Sequence, residues 1–106
     1  MISLDRIIEA HKKIAPHVNY TPLVYSDFLS QKRTVKLKLE SLQITGSFKL
    51  RGAMNKLLSL SEEQKIRGVI AVSTGNHGKG VAYASSLLDI KSTIYMSSMV
   101  PQYRKE

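Results

Sequence analysis

The sequence contains no cysteine, which excludes disulfide bonds and any metal site held by thiolates. It also has no apolar run near the ~20 residues that a membrane-spanning helix needs. The acids Asp5 and Glu9 interrupt the apolar residues at the N-terminus, so this segment is not typical of a secretory signal. We therefore expect a cytoplasmic protein with no membrane partner.

Acidic residues are scarce as well: 8 Asp and Glu stand against 16 Lys and Arg, which gives a formal net charge of +8. Such an excess can indicate nucleic-acid binding. Here the basic residues are spread from Arg6 to Lys105, and aromatic residues, at 7%, offer few stacking partners for bases. We expect no nucleic-acid partner. The 106 residues are enough for one small core.

The N-terminal part predicts one helix followed by extended segments. Ser3 is a suitable N-cap, and Pro16 is expected to end the helix. The side chains at helical spacing between them are Leu4, Ile7, Ile8, His11 and Ile14. Residues 21–25 are predicted to be extended, residues 26–29 to form a short helix, and the alternating segment 35–40 to be a half-buried strand.

From residue 46 onward the pattern alternates between helices and apolar strands. Gly46 and Ser47 open a helix whose predicted core stripe is Leu50, Ala53, Met54, Leu57 and Leu58. Ser61 and Gln64 make a capping box for a short helix that stops at Gly68. The run 69–72 is typical of a parallel strand buried on both faces.

A turn at 73–78, a helix of small residues and a second strand at 92–96 follow, and Pro101 is placed to begin a further helix. Strand, helix and strand in this order form a βαβ unit, which implies parallel strands. The fold class predicted is α/β, a parallel sheet with flanking helices.

Lys49 is the first candidate for chemistry. It lies in the first turn of a predicted helix, where a positive charge opposes the helix dipole by roughly 0.3–1 kcal/mol. If Lys49 is also desolvated beside Phe48, the neutral amine is favoured. A neutral amine is the form that attacks carbonyl carbons. The alternative is an ordinary surface lysine.

The turn at 73–78, Ser-Thr-Gly-Asn-His-Gly, is the second candidate. It lies between the carboxyl end of an apolar strand and the start of a helix, where parallel α/β sheets bind ligands. Free amides at the helix start attract an anion such as a carboxylate, and the Asn76 amide can both donate and accept hydrogen bonds. The alternative is a plain strand-to-helix turn capped by Ser73 or Asn76.

Two nucleotide-binding motifs fail at this turn. In a P-loop pattern, Ser73 would replace the first glycine and Gly80 the final hydroxyl residue. The dinucleotide fingerprint would need glycine at His77 or at Ser73. His77 has no histidine or carboxylate neighbours in the sequence that would complete a metal site, so we expect no metal.

Both candidate segments resemble motifs of one enzyme family. The segment GSFKLRGA at 46–53 resembles the lysine motif of pyridoxal-phosphate (PLP) enzymes with the tryptophan synthase β-like fold, in the branch of threonine dehydratase and serine racemase. STGNHGKGVAYAS at 73–85 resembles the asparagine loop of that branch, and TPL at 21–23 also fits. TIYMSSMVP at 93–101 further resembles the hydroxyectoine-utilisation dehydratases.

The resemblance implies a role for each matching residue. Lys49 would bind PLP covalently and act as the base at the substrate α-carbon, Phe48 would lie against the cofactor ring, and Asn76 would bind the 3′ oxygen of the pyridine. The substrate carboxylate would be held by Ser73, Thr74, Gly75, Asn76 and His77. The implied reaction removes water and then ammonia from a β-hydroxy amino acid, and the implied assembly is a homo-oligomer.

The resemblance also has departures. Serine racemases usually carry serine at the second loop position, so Thr74 favours a dehydratase over a racemase. The glycine-rich phosphate loop of the family, which comes later in its chains, does not occur in these 106 residues. We therefore expect this chain, as a truncated member, to bind PLP weakly and to turn over little on its own.

The resemblance assigns residues 1–45 to the larger family domain, as its N-terminal segment, and residues 46–106 to an incomplete small domain. A second hypothesis is a non-catalytic basic binding module on a fold derived from a PLP enzyme. The substitution Lys49→Ala separates the two, because it would abolish cofactor attachment under the first hypothesis alone.

Overall fold

The computed structural model describes residues 1–105, with Arg104 described by its backbone alone. The helices are α1 (Leu4–Ile14), α2 (Lys49–Leu58), α3 (Glu62–Arg67) and α4 (Asn76–Leu87). The strands are β1 (Leu23–Tyr25), β2 (Lys36–Lys38), β3 (Val69–Val72) and β4 (Ser92–Tyr95). Short 3-10 turns cover Ala15–His17, Glu40–Leu42 and Gln102–Arg104. Each helix described is too short or too polar to cross a bilayer.

The strands form two separate pairs. β1 and β2 are antiparallel, with Val24 opposite Leu37. β3 and β4 are parallel, with Ala71 opposite Ile94, and α4 connects them. The predicted βαβ unit and the α/β fold class are therefore confirmed.

Helix α1 begins as predicted but is not buried as predicted. The Ser3 hydroxyl accepts a hydrogen bond from the Arg6 amide, and the α-helix ends at Ile14, just before the 3-10 turn that contains Pro16. Of the predicted stripe only Ile14 is buried, while Leu4, Ile7 and Ile8 remain 69%, 55% and 41% exposed. His11 is also exposed. The reason is that α1 packs chiefly against α2, and it reaches the core through Ile14 at its C-terminal end.

The short helix predicted at residues 26–29 is wrong, because this segment is a turn. The Ser26 amide donates to the Val35 carbonyl, which ties the chain into the β1–β2 pair. The Ser30 amide then donates to the Asp27 carbonyl, a turn closed by one bond. Four residues are too few to repay helix nucleation when strand pairing competes for their amides.

The core lies where α2 packs against α4. Leu50 and Met54 of α2 are fully buried, and Val81 and Ala84 of α4 are nearly so. Ile14 and Ile90 complete this cluster. The predicted core stripe of α2 is confirmed, and so is the capping box, in which the Ser61 hydroxyl accepts from the Gln64 amide.

The prediction that β3 is buried on both faces is wrong. Ile70 and Val72 are 73% and 80% exposed, whereas Val69 and Ala71, on the opposite face, pack toward the core. In the described part of the chain β3 pairs only with β4, and the helices cover one face of this pair. The uncovered face is therefore apolar and open.

Candidate active site

Lys49 is the first residue of α2, and the turn before it is fixed by short contacts. Gly46 adopts a left-handed conformation (φ +75°), and its amide donates to the Gln43 carbonyl at 2.7 Å. The buried Ser47 hydroxyl accepts from the Lys49 amide at 3.4 Å. The helix thus begins two residues later than the sequence predicts, and the turn directs Lys49 and Phe48 together out of the core.

The Lys49 side chain is exposed, and so is Phe48, at 59%. The Lys49 ammonium nitrogen lies 5.1 Å from the centroid of the Phe48 ring, within the range of a cation–π contact. The expected desolvation of Lys49 beside Phe48 is therefore wrong for the chain as it stands. The two side chains nevertheless meet, as the sequence predicts.

Both residues border a cleft of about 450 Å³ between α2, β3 and the start of α4. Most of its wall is apolar and comes from Ala53, Leu57 and Val81. Its polar groups are Lys49 and Lys56 of α2 and His77 of α4. Of the predicted loop residues, His77 is thus the one that shares a cleft with Lys49.

The asparagine loop is organised around the Ser73 hydroxyl. This oxygen accepts hydrogen bonds from the Gly78 amide at 2.9 Å and from the Gly75 amide at 3.3 Å. Helix α4 begins inside the predicted turn, at Asn76, and Gly75 gives no side-chain cap. Across residues 1–105, no hydrogen bond is donated by the amides of Asn76 and His77. These amides point out of the helix N-terminus and are available to an anion.

The remaining loop residues face elsewhere. Ser73, Thr74 and Gly75 line a second cleft beside Ile94 and Lys79. Asn76 is exposed and lines a small groove with Tyr103. The structure therefore brings Phe48, Lys49 and His77 into one cleft and leaves Asn76 outside it. No group of histidines and carboxylates among the described residues is arranged to hold a metal ion.

Gly80 joins the two motifs, although the sequence reasoning did not single it out. A Cβ at Gly80 would lie 3.2 Å from the Leu50 amide nitrogen and from the carbonyl carbon and oxygen of Lys49. Only glycine lets α4 approach the backbone of Lys49 this closely without displacing it. The spacing GxG at 78–80 was the available signal, and it was tested against nucleotide loops alone.

The sequence reasoning also missed an ion pair that anchors α2. Arg51 binds Glu40 with two nitrogens, Nε at 2.9 Å from Oε2 and a terminal nitrogen at 2.8 Å from Oε1. The Thr21 hydroxyl donates to the same carboxylate, and the Lys38 ammonium donates to the Thr21 carbonyl. The hydrogen bond from Arg51, against the opposing effect of burial, lowers the pKa of Glu40 to about 2.

This Glu40–Arg51 pair acts on Lys49 through the helix. Residues two apart on an α-helix point about 200° away from each other. Arg51 therefore fixes one side of the first turn of α2 to the end of β2, while Lys49 lies on the other side, in the cleft. A bidentate contact of this kind is geometrically specific, so it holds the rotation of α2 as well as its distance.

Comparison with known proteins places this arrangement in a family. Residues 14–106 match the model of the family "Pyridoxal-phosphate dependent enzyme". The chain belongs to this family of PLP-dependent enzymes, which confirms the predicted family and its cofactor.

Particular relatives narrow the branch. The chain is 49% identical over its whole length to L-threonine dehydratase catabolic TdcB of Staphylococcus aureus (strain USA300), and covers 32% of that protein. It resembles the serine racemase from Dictyostelium discoideum with a TM-score of 0.91 and 36% identity, over 98% of this chain and 35% of that one. It resembles the T.th. threonine deaminase with a TM-score of 0.77 and 43% identity, over 90% and 34%. The chain thus spans about a third of the length of these relatives.

Proposed function

We propose that this chain forms the lysine-bearing part of a PLP-dependent dehydratase that acts on β-hydroxy amino acids such as threonine or serine. The observation that carries the proposal is the contact at Gly80, which joins the Lys49 motif to the asparagine loop. The 49% identity to a threonine dehydratase over the whole chain supports the substrate class. Thr74 at the second loop position supports a dehydratase over a racemase.

The residues of the cleft fit the cofactor chemically. An aldehyde needs an amine without an ion-pair partner, and Lys49 has no carboxylate within salt-bridge distance in residues 1–105. A planar ring needs an apolar wall, which the cleft supplies beside Phe48. In this proposal Lys49 holds PLP, Phe48 lies against its ring, and Asn76 binds its 3′ oxygen. PLP, when bound, supplies the electron sink for the reaction.

The chain's own residues would bind the substrate and move its proton. The free amides of Asn76 and His77 bind the substrate carboxylate at the positive end of α4. The Ser73 hydroxyl accepts two amides and keeps its own proton to donate, while Thr74 and Gly75 complete the loop. The Lys49 amine takes the proton from the substrate α-carbon. Loss of water and then of ammonia leaves a 2-oxo acid.

Three further assignments belong to the same proposal. The small domain begins at residue 46, and the two strand pairs fall on either side of this boundary, which supports the division into 1–45 and 46–106. The enzyme works in the cytoplasm. It assembles as a homo-oligomer, for which the exposed apolar side chains of α1 offer a surface.

Attachment of PLP to one lysine tests the proposal. The chain is incubated with excess PLP, the bond is fixed with borohydride, and labelled lysines are mapped by peptide mass spectrometry. We expect Lys49 to carry most of the label and the variant Lys49→Ala to lose it. Lys56→Ala is the matched control, because Lys56 lines the same cleft without an assigned role. Equal labelling of Lys49 and Lys56 would contradict the proposal.

A further inference from the structure

One edge of β3 is free to pair. The Val69 amide donates to the Lys91 carbonyl at 2.9 Å, and the Ser73 amide to the Tyr95 carbonyl at 3.0 Å. Since strand residues alternate, residues 69, 71 and 73 face β4, and Ile70 and Val72 direct their amides and carbonyls to the opposite edge. That edge has no strand partner within residues 1–105. It is a template for another extended chain.

The same edge borders an apolar channel. The cleft of about 450 Å³ runs between β3 and α2, with Leu57, Leu60 and Ala71 in its wall. A second groove of about 300 Å³ continues it past Leu60 and Gly68 to Arg67. An extended chain on the β3 edge would therefore place every second side chain against apolar surface.

The charges along this channel are of one sign. Lys49, Lys56 and Arg67 line the two grooves, and their described lining includes no aspartate or glutamate. Lys56 forms no ion pair within residues 1–105, and Arg67 has only an exposed contact of 3.7 Å to Glu63. A second copy of this chain would bring the same cations and a net charge of +8. The complementary occupant is acidic.

We propose that the free edge of β3 binds an extended acidic polypeptide segment, which adds a strand beside β3. Its backbone pairs with Ile70 and Val72, its apolar side chains enter the channel, and its carboxylates meet Lys56 and Arg67. This is β-strand addition, in which the backbone gives affinity and alternate side chains give specificity. No charged side chain on β3, from Val69 to Val72, guards the edge against such pairing.

The test uses the full chain and a synthetic peptide of alternating glutamate and valine, with binding followed by fluorescence anisotropy. Ile70→Pro removes the outward amide without removing a bond to β4, and Ile70→Thr is its matched control, because it changes the same exposed side chain and keeps the amide. Loss of one backbone bond predicts binding weaker by about three- to tenfold for Ile70→Pro and unchanged for Ile70→Thr. Lys56→Glu should weaken binding further and make it less sensitive to salt.

A second measurement does not depend on the stability of any variant. N-methylation of the peptide at every second residue should abolish binding in one register and leave it intact in the other, since only one edge of the peptide pairs. Equal binding of a lysine–valine peptide, or of both methylated peptides, would overturn the proposal. So would self-association of the chain that Ile70→Pro abolishes while the glutamate peptide fails to bind, because the edge would then belong to a second copy. None of these readouts requires PLP, so the proposed dehydratase function stands or fails separately.

Discussion

Substitution of Gly80 by alanine tests whether close packing of α4 on Lys49 holds the two motifs together. The added methyl carbon would lie 3.2 Å from three backbone atoms of Lys49 and Leu50. Backbone atoms in a helix cannot rotate away, so α4 must move by a few tenths of an ångström. Overpacking of this kind costs about 1–3 kcal/mol, while alanine recovers up to ~1 kcal/mol of helix propensity. We expect a net loss of about 1 kcal/mol of unfolding free energy.

Gly52→Ala is the matched control for this substitution. Gly52 lies inside α2, and a Cβ there would meet nothing within 4 Å. The same chemical change should therefore stabilise the chain by up to ~1 kcal/mol. Urea denaturation followed by circular dichroism measures both variants, and thermal midpoints should differ from that of the original chain in opposite directions by about 4–8 °C per kcal/mol. If Gly80→Ala proves as stable as Gly52→Ala, close packing at Gly80 does not constrain the site.

Two further predictions concern the core and the ion pair. Leu50→Ala should cost about 2–5 kcal/mol in urea denaturation, because Leu50 is fully buried between α2 and α4; a cost below ~1 kcal/mol would mean that the core is loosely packed. Glu40, whose ordinary pKa of 4.5 falls to about 2 on folding, stabilises the chain fully above pH 4.5 and loses this contribution as the pH falls toward 2. Glu40 keeps some solvent contact, so we expect Glu40→Gln to cost about 1–3 kcal/mol at pH 7 and less as the pH is lowered; a difference that does not change with pH would show that the carboxylate charge is not what stabilises the pair.

Local patterns predicted the elements well where one signal acted alone. The capping box at Ser61, the N-cap at Ser3 and the stripe of α2 each depend on contacts within a few residues, and the structure has them. The segment at 26–29 failed because pairing between Ser26 and Val35, nine positions apart, decided its conformation. A pattern read along the chain gives no weight to such a competitor.

Burial was harder to predict than secondary structure. The apolar run of β3 and the stripe of α1 both predict contact with other surfaces, yet Val72 and Leu4 remain largely exposed. Apolar periodicity records that a face is suited to burial, and it does not say which segment covers it. The same holds for the candidate site, where the family resemblance identified Lys49 and Asn76, while the contact at Gly80 depends on how two helices meet in space.

The Glu40–Arg51 pair has a consequence for the reactive lysine. Lys49 is a four-carbon tether with a free tip, but its attachment point is held, because the guanidinium two residues later is clamped to the end of β2. Thermal wandering of the amine therefore comes from its own methylene groups and not from tilting of the helix. A catalyst built this way can swing one nitrogen between two partners while the ground beneath it stays still.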